Sequence, residues 1–337
     1  MRKYIIFIGI DISKKWFDAC LCLNGNIKDL PHKRFDQTQK GYQSLLDWVA
    51  KQAKQNNLEG AWKFCLEHTG IYSLSLSHFL EERQQAYILE NPLRIKLSSG
   101  LKRGKTDQSD AQAIAIYAWR HQDQLHKHRP LPNLLLIKVQ ALLSLRSRLV
   151  RYRHGLQVAS GELEACVATN ISQLVVNPTA VIIDSMDAEI KKIMEQLIEL
   201  INSDSELKRI HGLVSSVIGI GDVIAAHLLV YTNGFTAFDN ARQFANYVGV
   251  VPFKHKSGTS IQAPDKTSNV ANHKMKTLLS NAATVAVRWD PQIKAFFHRQ
   301  LANGKEEGWI YNAVKNKLIH RIFKVVKRGT PYVKLAH

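Results

Sequence analysis

The sequence predicts an α/β amino-terminal domain, a helical middle and a mostly helical carboxy-terminal region. Three observations carry this division. Residues 1–125 alternate short apolar runs with helical patterns, residues 126–210 hold long apolar/charged helical periodicities, and residues 211–337 join an apolar helix–turn–helix stretch to basic helical patterns. At 337 residues the chain is long enough for two or three domains.

In chain order, "KYIIFIGIDIS" is a β-rich run, and "WFDACLCLNG" alternates before an Asn-Gly turn, which predicts a hairpin. "IKDLPHKRFD" supplies a third strand. "TQKGYQSLLDWVAKQAKQ" has helical spacing at Tyr42, Leu45, Leu46 and Val49. "AWKFCLEHTG" reads as a buried strand, "IYSLSLSHFLEERQ" as a helix, and "AYILENP" as a short strand stopped by Pro92. A further helix begins within "KRGKTDQSDAQAIAIYA". Three strands, helix, strand, helix, strand, helix is the order of a ribonuclease-H-like fold.

The middle region contains "LLLIKVQALLSLRSRLVRYRHGLQ" and "DAEIKKIMEQLIELINSDSELKRI". In the second, Ile190, Ile193, Leu197 and Leu200 or Ile201 alternate three and four apart, as in a coiled-coil seam or an ordinary helical hairpin. The third region opens with "LVSSVIGIGDVIAAHLLVY", which resembles a helix-hairpin-helix element. It then passes through the Gly/Ser/Pro-rich loop "VGVVPFKHKSGTSIQAPDKTSN" and ends in basic helices.

Composition narrows the function. Lys and Arg number 46 against 28 Asp and Glu, a net charge of +18 spread along the chain, which points to a polyanion such as nucleic acid. No apolar run approaches the roughly 18–20 residues of a membrane helix, and "YIIFIGI" is too short for a signal-peptide core, so the expected location is the cytoplasm. Cys20 and Cys22 form C-x-C without a second zinc-spaced pair, and with Cys65 and Cys166 they read as reduced, buried thiols. The 14 histidines show no H-E-x-x-H and no H-x-E with a downstream C-x-x-C.

Four carboxylates stand out in the first region. Asp11 interrupts an apolar strand, where a charge is costly unless it is paired or binds a cation. Glu67 ends another apolar strand. Asp107 and Asp110 lie three apart at a helix start, on neighbouring turns of one face. Together they would make an all-oxygen cage suited to Mg²⁺ or Mn²⁺, and two such ions about 3.5–4 Å apart can assist phosphodiester cleavage. Each acid also has a plainer role: Asp107 as a helix N-cap, Asp110 favoured by the helix dipole, Glu67 as a strand-end charge. Lys102, Arg103 and Lys105, just ahead of this helix, are candidates to hold a phosphodiester over the acids.

In the third region, Gly219 and Gly221 would let a turn backbone approach a phosphate, or they make a tight helix–helix turn. Ser257 precedes a glycine and stands near Lys254, His255 and Lys256, so it is a candidate nucleophile. By composition Ser260 and Ser268 serve equally well, and all three suit an ordinary turn.

The stretches "GIDISKKWFDACL", "LEHTGIYSLSLSHFL", "NPLRIKLSSGLKRGKTDQSDAQAIAIYA", "GIGDVIAAHLL" and "ARQFANYVGVVPFKHKSGTS" span nearly the whole chain. In that order they resemble the bridge-RNA-guided transposases of bacterial insertion sequences in the family numbered one-ten, related to the Piv-type DNA invertases. The resemblance implies a RuvC-like domain over residues 1–125 whose D-E-D-D set maps onto Asp11, Glu67, Asp107 and Asp110. It implies a coiled-coil-containing segment over 126–210 and a transposase domain over 211–337 whose nucleophile, by its place in the "P…SG" pattern, is Ser257. It further implies a divalent cation, a covalent serine–DNA link before strand exchange, a homo-oligomer (a dimer or tetramer), donor and target DNA, a structured noncoding guide RNA, and a place at the bacterial nucleoid. This chain departs from many relatives after the serine loop, with Ala271-Asn272 and then Lys274 and Lys276 where they carry Gly-Asn and an Arg. Two other functions fit the same residues: a RuvC-like nuclease that uses water, and a nucleic-acid-binding protein without catalysis.

Overall fold

The structure, a computed structural model, describes residues 4–67, 71–98, 106–123, 133–166, 169–257, 261–267 and 271–333. The chain divides into two compact units, Met1–Leu131 and Pro132–His337.

The first unit is built on a five-stranded mixed sheet of β1 (Tyr4–Ile12), β2 (Trp16–Leu23), β3 (His32–Asp36), β4 (Ala61–Glu67) and β5 (Tyr87–Glu90). The strand order is β3-β2-β1-β4-β5; β1, β2 and β3 are antiparallel neighbours, whereas β1, β4 and β5 run parallel. The Asn-Gly turn lies where the sequence puts it. Asn24 (φ 44°) and Gly25 (φ 80°) adopt the left-handed pair that a two-residue hairpin turn needs.

Alternation along β1 sorts its side chains to two faces. Ile6, Ile8 and Ile10 face one core with Phe17, Leu21, Phe64 and Leu66. That core is covered by α1 (Gln39–Gln55) and α2 (Ile71–Glu82), α1 contributing Tyr42, Leu45, Val49 and Ala53 at helical spacing. Thr38 caps α1 by accepting from the Gly41 N–H. Phe7 faces the other way, into a core with Cys20, Cys22, Cys65 and Ile88, covered by α3 (Pro92–Ser98) and α4 (Asp107–Arg120). Pro92 does not simply stop β5 as the sequence suggests: it opens α3, where a missing N–H costs nothing.

The backbones of α4 and β1 touch at Gly9. A Cβ there would lie 2.1 Å from the Ala115 nitrogen and 2.4 Å from the Ala111 carbonyl oxygen. Only glycine permits this approach, which lays the helix across the strand two residues before Asp11.

Three of the four cysteines are buried as expected, but Cys166 is exposed. Burial pushes the Cys20 thiol up to about 12 and the Cys22 thiol up to about 11, so both stay protonated and inert.

The second unit begins with two long helices packed on each other, α5 (Leu134–Cys166) and α6 (Thr169–Asn202). The predicted seam is buried at Ile190, Ile193, Leu197 and Ile201. The second helix starts well before the predicted segment and carries Pro178 within it. Next come α7 (Ser205–Ser215), α8 (Asp222–Tyr231) and α9 (Ala241–Val248), then β6 (Pro252–Ser257), β7 (Ile261–Thr267), α10 (His273–Trp289), α11 (Pro291–Ala302) and α12 (Glu307–Arg328). The stretch expected to be a loop is thus an antiparallel ribbon, β6 pairing with β7 from Pro252↔Thr267 to Ser257↔Ile261. Its polar residues hide the period-two pattern that marks a half-buried strand. Ala225, Ala226, Leu228 and Leu229 of α8, Leu279 and Ala282 of α10, and Leu318 and Ile322 of α12 meet in one core. No helix among the described residues is long and apolar enough to cross a membrane.

Candidate functional site

Asp11 lies near the end of β1 on the face that α4 covers, half-buried between Ile10 and Ile12. Its cross-strand partner is Asp18 of β2. The register that pairs Ile10 with Leu66 puts Glu67, the last residue of β4, beside Asp11. Asp107 and Asp110 occupy the first turn of α4. That turn is fixed by a reciprocal cap: Thr106 accepts from the Ser109 N–H at 3.1 Å, and the Ser109 hydroxyl oxygen accepts from the Thr106 N–H at 3.0 Å. The cap is therefore Thr106 and not Asp107, whose carboxylate is left for other work.

These acids feel one another. Burial, then the charges of Glu67, Asp110, Asp107 and Asp18, push the Asp11 carboxyl from 3.8 up to about 6. All four predicted carboxylates thus act within one electrostatic field. Among the described residues, however, no three His, Cys, Asp or Glu side chains stand close enough to hold a metal ion.

The structure adds four residues that the sequence did not single out, Asp18, His32, Arg34 and Glu90. Asp18 is 1% exposed, and its carboxylate engages His32 Nε2 at 2.6 Å and accepts from Arg34 Nε at 3.0 Å. Arg34 reaches on, donating from Nη2 to Asp107 Oδ2 at 2.8 Å, with its guanidinium over the Trp16 ring. A buried carboxylate on β2 is thus tied through β3 to the first turn of α4. The signal was present, since Asp18 is a charge inside the apolar run "FDACLCL", but its partners depend on strand register. Glu90 ends β5 in the same manner. It is 8% exposed and accepts from the Tyr117 hydroxyl at 3.0 Å and the Asn91 N–H at 2.8 Å.

Of the remaining predicted residues, Lys102, Arg103 and Lys105 lie outside the described residues, as do Ser260 and Ser268. Ser257 closes β6, and Lys254 and Lys256 lie on that strand. Gly219 (φ 96°) sits in the α7–α8 turn, where a Cβ would fall 2.5 Å from the Ala282 carbonyl oxygen of α10, so helix packing accounts for it. Gly221 caps α8 in open space, without a side-chain cap.

Sequence comparison supplies the family. A DEDD-type transposase profile matches residues 8–160, and a profile described as Transposase IS116/IS110/IS902 family matches residues 211–298. The chain belongs to the IS110 family of transposases. The pilin gene-inverting proteins of Moraxella bovis and Moraxella lacunata are each 27% identical over 98% of both chains. The transposase for insertion sequence element IS1111A of Coxiella burnetii is 27% identical over 56% of each chain. This IS110 transposase is accordingly a DNA transposase or site-specific recombinase, and the first profile covers all four acids and Arg34.

Proposed function

We propose that this transposase cuts and rejoins DNA strands through two centres, a divalent-cation site on Asp11, Glu67, Asp107 and Asp110 and a nucleophile at Ser257. The observation that carries this reading is the β1–β4 register that puts Glu67 beside Asp11, with Asp107 and Asp110 on the capped first turn of the helix that covers that face. Burial, and then the charges of Glu67, Asp110, Asp107 and Asp18, hold the Asp11 carboxyl up to about 6. Carboxylates gathered against their own charge are what a cation relieves, and an all-oxygen donor set fits Mg²⁺ or Mn²⁺. The strand order β3-β2-β1-β4-β5 supports a ribonuclease-H-like, RuvC-like domain over residues 1–125, followed by a coiled-coil hairpin over 126–210 and the serine domain over 211–337.

A bound divalent ion supplies stabilisation of charge on the phosphoryl oxygens. The chain's own residues do the rest. Asp11 and Glu67 fix the strand side of the site, and the capped first turn of α4 presents Asp107 and Asp110. Arg34 holds the Asp107 carboxylate by its Nη2. The Ser257 Oγ attacks phosphorus; one serine O–P bond forms as one sugar O–P bond breaks. The serine proton leaves, and the released sugar oxygen takes one up. Attack by the exchanged strand's hydroxyl reverses these bonds and frees the serine.

The +18 charge supports nucleic acid as the partner. Donor and target DNA are the substrates in this reading, and a structured guide RNA supplies sequence choice by base pairing, which leaves broad basic surfaces as the protein's share of the contact. The working form is a homo-oligomer, a dimer or tetramer, at the bacterial nucleoid. A plasmid recombination assay tests the two centres together. Asp11→Asn, Asp110→Asn and Ser257→Ala should each abolish strand exchange while binding of the element's RNA persists; exchange at the wild-type rate in Ser257→Ala removes the serine from the mechanism.

One observation favours a second reading. All four acids belong to the first compact unit and Ser257 to the second. A nuclease that uses water needs only the first.

A further inference from the structure

The second unit carries a cluster of cations that neither centre uses. Lys274, in the first turn of α10, donates from Nζ to the Ser147 hydroxyl of α5 at 3.2 Å. The preceding residue, Arg146, has its Nε buried without a hydrogen-bond partner. Among the described residues, no carboxylate stands within ion-pair distance of Lys274 or Arg146, whereas the nearby Arg153 is paired with Asp187.

Polar groups of fixed orientation surround these cations. Asn272 caps α10, accepting from the Met275 N–H at 2.9 Å, and its Nδ2 donates to the Tyr247 hydroxyl oxygen at 2.8 Å. The Asn272 N–H also donates to the Tyr247 carbonyl oxygen at 3.0 Å, which ties together the two chain segments that flank the β6–β7 ribbon. His227 of α8 is buried and stacks on Tyr231 with ring centroids 5.9 Å apart. Burial, then the charges of Lys274 and Arg146, hold its imidazole down to about 4, so it is neutral at physiological pH.

Lys274, bonded to the residue next to Arg146, thus stands with it beside His227 and in the first turn of a seventeen-residue helix whose cap is tied to Tyr247, and among the described residues no carboxylate pairs with either cation. Arg146 is itself made less basic by burial and by Arg153. Such a group is stabilised by an anion that takes the guanidinium, the ammonium and the proton of a phenol whose oxygen accepts from Asn272. We propose that Arg146, Lys274, Tyr247 and Asn272 form a subsite for a nucleic-acid backbone phosphate at the base of the ribbon that carries Ser257. This rests on the reading that the protein works on nucleic acid, and it assigns one phosphodiester contact to named residues. The phosphodiester chemistry is common to a DNA substrate strand and an RNA guide.

The full chain is titrated across a salt series against a fluorescein-labelled DNA duplex and a fluorescein-labelled structured RNA. Lys274→Gln and Arg146→Gln should each weaken binding about three- to tenfold and reduce the slope of log K against log salt by about 0.9, the signature of one lost phosphate contact. Tyr247→Phe, which keeps the charge, should lose about two- to fivefold with the slope unchanged. Lys138→Gln, an exposed cation on α5 outside the cluster, should leave both quantities near wild type. Loss on DNA alone assigns the subsite to the substrate strand, loss on RNA alone to the guide, and loss on both to a contact shared by them. Wild-type affinity and slope in both charge variants on both probes overturn the subsite and leave the nucleic-acid reading standing. So does an equal loss in Lys138→Gln. A wild-type chain that binds neither probe overturns both.

Discussion

A single methyl group at Gly9 tests how the acid site is held together. In Gly9→Ala the new Cβ would lie 2.1 Å from the Ala115 nitrogen, 2.4 Å from the Ala111 oxygen and 2.7 Å from the Ala115 Cα. All three are backbone atoms, so no side chain can swing aside. To reach an ordinary contact of 3.4 Å, α4 must withdraw from β1 by about 1.3 Å. That withdrawal loosens the packing of Ala111, Ile114, Ala115 and Ala118, all buried against the sheet. Overpacking of this kind costs about 1–3 kcal/mol, and the melting temperature should fall by roughly 3–10 °C. The same shift carries Asp107 and Asp110 away from Asp11, and a displacement of this size costs about 100-fold in rate. Calorimetry reads the first effect and plasmid recombination the second. A Gly9→Ala protein that melts and recombines like the wild type would refute the claim that the α4–β1 contact sets the site.

Other outcomes follow from the same geometry. Asp11 holds its proton more tightly in the folded chain than in the unfolded one, so its contribution to stability is present below about pH 4 and is lost as pH rises through about 6. Asp11→Asn should therefore stabilise the metal-free protein by ~1–2 kcal/mol at pH 7, after allowance for solvent screening, and by nothing at pH 4; urea midpoints at the two pH values check this. Removing the cation that engages Asp107, in Arg34→Gln, should tighten Mn²⁺ binding about two- to fivefold by titration calorimetry, and weaker binding would count against competition for that carboxylate. Gly219→Ala places a side chain at φ 96° and against the Ala282 carbonyl, and should cost ~1–3 kcal/mol in chemical denaturation. Gly221→Ala, in open space, should cost under about 1 kcal/mol.

Much of the first unit was legible in the sequence because its signals are local. The Asn24-Gly25 turn, the alternation in β1 and β2, and the stripe of Tyr42, Leu45 and Val49 each act within a few residues. The positions of the four acids, in or at the end of a strand and in the first turn of a helix, were legible for a related reason: a charge inside or at the end of an apolar strand, or paired on one helical face, stands out from its neighbours. What could not be read was how distant residues meet. The tie from Asp18 through Arg34 to Asp107 joins residues 73 apart at its second step and depends on strand register. The role of Gly9 depends on which helix crosses β1. The β6–β7 ribbon escaped because Lys, His, Ser and Gln occupy its strands, so no apolar face announces them. Thr106 took the cap from Asp107 because the Ser109 hydroxyl completes the reciprocal pair one turn on.

The claim that a serine and a metal-ion site act together is tested most directly by trapping the intermediate. The transposase is incubated with its RNA and a nicked recombination substrate in Mg²⁺, digested, and analysed by peptide mass spectrometry. A nucleotide should be attached to the peptide bearing Ser257, and it should be absent in EDTA and in Asp11→Ala. Cleaved DNA with free ends and no attached peptide, or an adduct that persists in Ser257→Ala, would contradict it.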